Sequence, residues 1–403
     1  MSFKPLLRSI DFRPVSHDGQ EMLLLHDWLE LTDFQLVIPP VLTELLAFCD
    51  GTRTIAEIYH AFCGRIGRFV DHRVVTETIA RLDEACLLEN ERSRRAYASV
   101  VAEYRKLPSR PPAHAGVSYP TEADKLWRYF TAFGADDKEA VSEWRGRGVV
   151  SPHIDYHRGG KVYAKVWRRA AAAVKEADLV LIFGTDHKRG EIVTLTQNAY
   201  ATPYGVLPTD LGLVHKLAHA LGPDLAFASE LNHREEHSIE LSAVWLHHTL
   251  AGQAPCPMVP ILCGSFHHFV MNGRHPLQDE RLNRFIATLK AETAGKNVLA
   301  VASVDLAHVG PAFGDRFRMD RRRRQQLARS DNSLMQAIAS GDANRFYYQI
   351  ASIKDKNRIC GFSSLYFMLR YLQNTRGTQI AYAHCPADAQ KASLVSVCGM
   401  LLD

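Results

Sequence analysis

Four apolar runs in this chain end alike, in side chains that titrate or bind metal. GVVS (148–151) leads into His153 and Asp155, and DLVLIFG (178–184) into Thr185, Asp186 and His187. NVLAVAS (297–303) leads into Asp305 and His308, and MVPILCG (258–264) into Ser265, His267 and His268. Short runs rich in Val, Ile and Leu read as buried strands. Helical stretches such as KVYAKVWRRAAAAVKEA lie between them. That alternation predicts an α/β layered domain around a mostly parallel or mixed central sheet. In such sheets ligands bind beyond the carboxyl ends of the strands, where loops distant in sequence converge. One such histidine alone would more often be a core or surface residue; their joint occurrence after successive strands points to a site.

With 403 residues, 46% of them hydrophobic, the chain can bury more than one core. Its net charge of +4, from 48 Lys and Arg against 44 Asp and Glu, is too small to argue for nucleic acid or a membrane surface. MSFKPLLRSIDFRPVS lacks the apolar core and cleavage site of a signal peptide. Runs such as LVLIF fall far short of the roughly 18 apolar residues of a membrane helix. The expectation is a cytoplasmic protein with no membrane segment. Its eight cysteines are scattered without a C-x-x-C pair and read as reduced core thiols.

Residues 1–95 read as a small separate α+β domain. FQLVIPPVLTELLAFC has apolar residues at helical spacing, broken by Pro39 and Pro40, and Asp50-Gly51 makes a turn. Thr54 and Glu57 form a capping box for the next helix. A third helix, VVTETIARLDEACLLEN, ends in a strand-like LLEN. Helix, turn, helix, helix and small strand is a winged-helix order. CDGTRTIAEI and ARLDEACLLEN resemble the PqqD-like modules, a likeness that implies peptide binding; docking or dimerisation without a ligand is the plainer alternative. TETIARLDEA is acidic on balance, which argues against reading DNA. Residues 96–108 read as a linker helix before the SRPP break, and 109–403 as the second domain.

In ELNHREEHSIEL, His233 and His237 stand four apart, a spacing that puts two ligands on one helical face, and HREEH fits the inverted zincin pattern H-x-x-E-H. That peptidase reading lacks the further acidic ligand it needs on a following helix.

Eight motifs then agree in order and spacing with one family: AHAGVSYP, VVSPHIDY, IFGTDH, ATPYGVLPTD, EEHSIEL, VPILCGS, ASVDLAHVGPAFG and ICG (359–361). Residues 109–403 resemble the Memo family, also called AmmeMemoRadiSam system protein B, which is similar to class III extradiol dioxygenases of the LigB type. The resemblance implies a divalent metal held by His153 and His187, with His237 as a further ligand or as a general acid/base, and Asp305 and His308 in the same cleft. It implies Fe(II) first, with Cu and Zn also compatible with imidazole ligands. The substrate class it implies is a small aromatic compound or a peptide, and its implied partners are a radical-SAM protein and an AMMECR-type protein. At one position the chain departs from the pattern. Where the dioxygenases have a carboxylate ligand and some Memo proteins a Cys, this sequence has Ala307. Asp155, Asp186 or Asp305 could substitute, or His237 and His308 could complete an all-histidine site. A protein that has lost its metal and only binds a peptide is the alternative reading. Glu236 or Asp305 could fix the tautomer of the acid/base imidazole.

The arginines at 316, 318 and 321–324 read as a solvated helix face or an anion-attracting patch. ATPYGVLPTD reads as a rigid turn, and Gly159-Gly160 as the passage from the first histidine loop into a helix.

Overall fold

A computed structural model describes all residues except 1–2, 136, 138–142 and 189. The chain divides into two compact units, Met1–Lys106 and Leu107–Asp403.

The first unit opens with a three-stranded antiparallel sheet, β1 (Asp11–His17), β2 (Gln20–His26) and β3 (Leu36–Ile38). Four helices follow, α1 (Thr43–Leu46), α2 (Ile55–Ile66), α3 (His72–Glu84) and α4 (Glu91–Lys106). Ile58 and Phe62 of α2 pack with Val75, Ile79 and Leu82 of α3 over Leu25, Leu36 and Ile38. Burying side chains of this size stabilises by roughly 1.5–3 kcal/mol each. The capping box forms as expected: Thr54 N donates to Glu57 Oε2 at 2.7 Å and Glu57 N to Thr54 Oγ1 at 3.3 Å. Gly51 turns the chain at φ +77°, where a Cβ is disfavoured.

Two expectations for this unit fail. FQLVI is a strand, because Leu36 and Ile38 bury on one face at period two, and the following Pro39-Pro40 cannot supply the N–H donors of a continuing helix. At the other end LLEN forms no strand; Leu88 makes only an isolated bridge to Leu7. The order is therefore sheet first and helices after. The hairpin of β1 and β2 went unread, although β2 carries the apolar run Met22, Leu23, Leu24 and Leu25.

In the second unit the elements are α5 (Ala123–Gly134), β4 (Gly148–Ser151), α6 (Tyr156–Glu176), β5 (Leu179–Thr185), β6 (Val193–Leu195), β7 (Tyr200–Thr202) and β8 (Gly205–Leu207). Then come α7 (Leu211–Leu221), α8 (Pro223–Ala226), α9 (His237–Leu250), β9 (Met258–Cys263), α10 (His267–Met271), α11 (Glu280–Glu292), β10 (Val298–Ser303) and β11 (His308–Val309). The unit closes with α12 (Arg321–Ala339), α13 (Ala343–Ala351), α14 (Phe362–Leu372), β12 (Gly377–Pro386) and β13 (Leu394–Leu402).

Among the described residues the main sheet runs β11-β13-β4-β10-β5-β9-β6, with β12 on β13. Its centre, β4-β10-β5-β9, is parallel, and β6 and β13 pair with it antiparallel, so the sheet is mixed. Alternate residues leave opposite faces. Leu181, Phe183, Ala300 and Ala302 pack with α7, α11 and α14, while Val180, Ile182, Leu299 and Val301 pack with α5, α6 and α9. Both faces are covered, which is why the strands read as continuous apolar runs rather than alternating ones.

Register positions the site. Ser303 of β10 stands opposite Ser151 of β4 on one side and Gly184 of β5 on the other. The loops carrying His153, Asp305 and His187 therefore leave the sheet from one line.

Gly159 and Gly160 lie inside α6, not in a loop. A Cβ at Gly159 would strike Ile154 and one at Gly160 would strike Phe133, so their role is close packing. ATPYGVLPTD forms the hairpin of β7 and β8, turned at Gly205 with φ +131°. Arg321, Arg322 and Arg323 are exposed on the first turn of α12, behind the N-cap Asp320. Among the described residues no helix is long and apolar enough to cross a membrane.

Candidate metal centre

The loop after β4 delivers His153 into the interior, only 2% exposed. Asp305, from the loop after β10, accepts from His153 N at 3.0 Å and Ile154 N at 3.1 Å and so ties the two loops together. His153 Nδ1 lies 2.9 Å from the Ser303 carbonyl oxygen. A carbonyl only accepts, so Nδ1 carries the proton and Nε2 keeps its lone pair. Burial pushes the His153 imidazole down to about 3, so it is neutral at physiological pH.

His187 follows β5 and His237 opens α9, and both turn to one carboxylate. His187 Nδ1 is 2.9 Å and His237 Nδ1 3.1 Å from Glu236 Oε1, while Glu236 Oε2 accepts from His187 N at 3.0 Å. Glu236 is the N-cap of α9, where Oε1 also accepts from Ser238 N at 3.0 Å. Burial alone would raise the Glu236 carboxyl, but the two imidazoles outweigh it and hold it well below the usual range. Burial alone would lower His187, and there the hydrogen bond and charge of Glu236 prevail and raise it. The three rings converge, with centroids 5.0 Å (His153–His187), 5.2 Å (His153–His237) and 4.7 Å (His187–His237) apart.

His308 joins the pattern from the next loop. Its Nδ1 lies 3.3 and 3.2 Å from the carbonyl oxygens of Leu306 and Arg358, which again leaves Nε2 bare, and burial lowers its pKa. All four histidines thus spend Nδ1–H on a fixed acceptor and keep a lone pair on Nε2, the state a metal-ligating imidazole needs.

One member was not anticipated. Cys360, in the loop before α14, sets its Sγ 3.2 Å from His153 Nε2 and 3.5 Å from the Asp305 carbonyl. Ligand atoms of His153, His187 and Cys360 lie within 4.8 Å of one another; so do those of His187, Glu236 and His237, and those of Asp305, His308 and Cys360. Burial and the nearby Asp305 push the Cys360 thiol well above its ordinary pKa. Beside these groups opens a cavity of about 350 Å³, lined by His187, Cys360 and His308 and walled by Phe266, Val270, Phe313 and Phe362.

The sequence profile of the Memo-like proteins matches residues 110–401. The chain belongs to the Memo family. A MEMO1 family protein of Aquifex aeolicus is 25% identical over 372 residues, covering 92% of this chain and 91% of its own. One from Thermus thermophilus is 27% identical, covering 82% of this chain and 93% of its own. One from Methanosarcina barkeri is 28% identical, covering 68% and 92%.

For a Memo chain with Ala307 at the expected third-ligand position, the surroundings decide what can stand in. Ala307 is fully buried and its N–H goes to Ser396 Oγ at 3.0 Å. Of the suggested carboxylates, Asp155 caps α6 and pairs with Arg158 at 2.5 Å, and Asp186 is taken by Asn232 at 2.7 Å and Lys188 N at 2.8 Å. Asp305 stays at the centre, 3.8 Å from His153 Nε2. The thiol of Cys360, 3.2 Å from His153 Nε2, offers the donor that Ala307 lacks. Its signal was present in the sequence: ICG was one of the matching motifs, and Gly361 is required because a Cβ there would strike Val304. Reading every cysteine as a core thiol hid it.

His233 does not share a helical face with His237. It sits in a separate short turn of helix, Glu230–Arg234, fully buried. Its Nε2–H donates to the Thr194 carbonyl at 3.1 Å and its Nδ1 accepts from Tyr200 Oη at 2.7 Å, so both nitrogens are spent. Beside it a buried clamp holds the segment before α9. Arg110 donates to Glu240 Oε2 and the His233 carbonyl, both at 2.5 Å, and to the Glu236 carbonyl at 3.1 Å. Tyr119 Oη and the N–H groups of Ala113 and His114 complete the Glu240 carboxylate.

Proposed function

We propose that this chain is a metal-dependent oxidoreductase in which His153, His187 and Cys360 hold one divalent ion and His237 with Glu236 handles protons. The observation that carries this is the uniform tautomer of the four histidines. Each has its Nδ1 proton fixed by a carbonyl or carboxylate, and each leaves Nε2 for another partner. The donor set of two imidazoles, a thiol and a nearby carboxylate suits Fe, Cu or Zn, with Fe(II) the ion that the likeness to extradiol dioxygenases favours. An ion bound there would act as a Lewis acid and, if redox-active, as a route for electrons to O₂.

The protein's own groups supply the rest. Asp305 holds the His153 loop through two backbone N–H bonds, and Glu236 aims two imidazoles at once. With Nδ1 anchored, His237 takes a phenol or water proton at Nε2, and the Glu236 carboxylate stabilises the resulting charge. Phe266, Phe313 and Phe362 line the cavity with aromatic surface that suits an aromatic substrate or a peptide side chain.

The reading extends to partners. The PqqD-like likeness makes the N-terminal unit a module for recruiting a peptide, and the AmmeMemoRadiSam likeness pairs the chain with a radical-SAM protein and an AMMECR-type protein in the cytoplasm. A non-catalytic peptide binder is favoured only by Ala307, and Cys360 removes most of that argument.

Metal analysis of protein purified without affinity-tag metal tests the centre. About one equivalent of Fe, Cu or Zn is expected, with affinity lowered at least a hundredfold in His153→Ala, His187→Ala and Cys360→Ser. Equal metal content in the parent and all three variants, or none in any, overturns it.

A further inference from the structure

Three fully buried serines fasten the start of α9 to the ends of β5 and β10. Gly184 makes the approach possible, since a Cβ there would strike Ile239 and the Ser238 hydroxyl. Ser238 Oγ donates to the Thr185 carbonyl of β5 at 2.8 Å, and Ser242 Oγ donates to Ser303 Oγ of β10 at 2.6 Å. Ser303 Oγ in turn donates to the Ser238 carbonyl. A hydroxyl carries one proton, so these three bonds spend every donor and fix the direction of each.

Local bonding would not produce this arrangement. A serine inside a helix commonly gives its hydroxyl proton to the carbonyl four residues back, which for Ser242 is that of Ser238. Here that carbonyl takes the Ser303 proton, and Ser242 reaches across to the strand. The helix has exchanged an internal bond for a tie to the sheet. Alanine at 238 and 242 would favour the helix more and bury no polar atom, so helix formation does not explain the two serines.

The tie meets all three converging imidazoles. His237 is the first residue of α9, and His187 follows Thr185 by two residues. The Ser303 carbonyl takes the His153 Nδ1 proton at 2.9 Å. Ser303 therefore acts twice: its carbonyl orients the His153 ring, and its hydroxyl holds the helix that begins at His237. Glu236 joins His187 to His237, and Ser303 joins that pair to His153.

We propose that Ser303 is a positioning residue which, through Ser242 and Ser238, sets the spacing of the His153, His187 and His237 rings and thereby the strength of metal binding. The effect on an ion rests on the metal-centre reading, whereas the spacing of the rings does not.

Ser303→Ala should fold, because Ser242 can return its proton to the Ser238 carbonyl. Chelator competition for Zn(II) on the full chain should give an affinity about tenfold or more below that of the parent. Crystals of the metal-free variant should show the His153–His237 ring spacing, 5.2 Å in the parent, changed by about 0.5 Å or more. Ser242→Ala should do less, since the Ser303–Ser238 bond survives, and adding it to Ser303→Ala should lower affinity no further. Ser151→Ala is the control. Its hydroxyl is equally buried, lies on the neighbouring strand β4 and accepts from Trp167 Nε1 at 2.9 Å. Losing it should lower the denaturation midpoint and leave zinc affinity and ring spacing unchanged. Unchanged affinity and spacing in Ser303→Ala, or equal losses in Ser303→Ala and Ser151→Ala, overturn the proposal. If the parent binds no zinc, the metal centre fails and the ring spacing alone decides: movement in Ser303→Ala and none in Ser151→Ala upholds the positioning role, and no movement in either overturns it.

Discussion

Two histidines four residues apart in sequence, His233 and His237, sit in opposite kinds of environment. His233 belongs to a buried cluster with Arg110, Glu240, Tyr119 and Tyr200 in which donors meet acceptors inside the protein. His237 belongs to a cleft cluster with His153, His187 and Cys360, where Nδ1 of each ring is anchored and Nε2 keeps its lone pair, that of His153 facing the Cys360 thiol. The difference teaches that a polar cluster's use is told by what it leaves unsatisfied. A closed cluster fixes a shape, and one with spare lone pairs has capacity for something else.

The sharpest way to break this comparison is to open the closed cluster. Arg110→Met leaves the Glu240 carboxylate buried without its cation and should cost about 3–5 kcal/mol in chemical denaturation. A loss below about 1 kcal/mol would mean that the clamp is not structural. The converse test is in the cleft. His187→Ala should change stability by less than about 1 kcal/mol while removing metal affinity, since its ring is partly exposed and its partner Glu236 keeps His237.

Glu236→Gln sits between the two clusters in effect. It keeps the shape but can no longer accept from both imidazoles as a charge, and metal affinity should fall about 10–100-fold, read by chelator competition.

A pH titration sharpens the comparison further. His153 and His233 are both pushed from 6.5 down to about 3 by burial, so between these values the unfolded chain binds protons that the folded chain refuses. Stability should therefore be full above about pH 6.5 and fall as pH drops toward 3. His233→Gln should flatten that slope. An unchanged slope would show that His233 is not held neutral.

The smallest effect lies outside both clusters. Thr54→Ala removes the α2 cap and should cost about 1 kcal/mol in the first unit, leaving metal content untouched.

Much of the second unit was legible because strands covered on both faces must be apolar throughout, and each of the four runs could be read from its residues alone. The His153, His187 and His308 loops could be gathered because parallel strands deliver their following loops to one edge, while His237 opens a helix and was placed by its motif. Cys360 was not legible in the same way. It follows no strand, and a thiol's chemistry depends on neighbours brought from far along the chain. The first unit failed for a different reason: FQLVI is short enough to satisfy helical and strand spacing alike, and only the paired prolines, whose missing donors rule out a helix, favoured the strand. Glu236 was read as one residue orienting one ring, and the structure gives it two.

Gly159 carries a consequence that reaches the cleft from the far side of a helix. Ile154, the neighbour of His153, lies where a side chain at Gly159 would go, and Tyr163 grips its carbonyl at 3.0 Å. Any added bulk in that turn would push on the peptide whose N–H is tied to Asp305. A single methyl group placed on residue 159 would therefore disturb the arrangement of the cleft, with every imidazole, thiol and carboxylate still encoded.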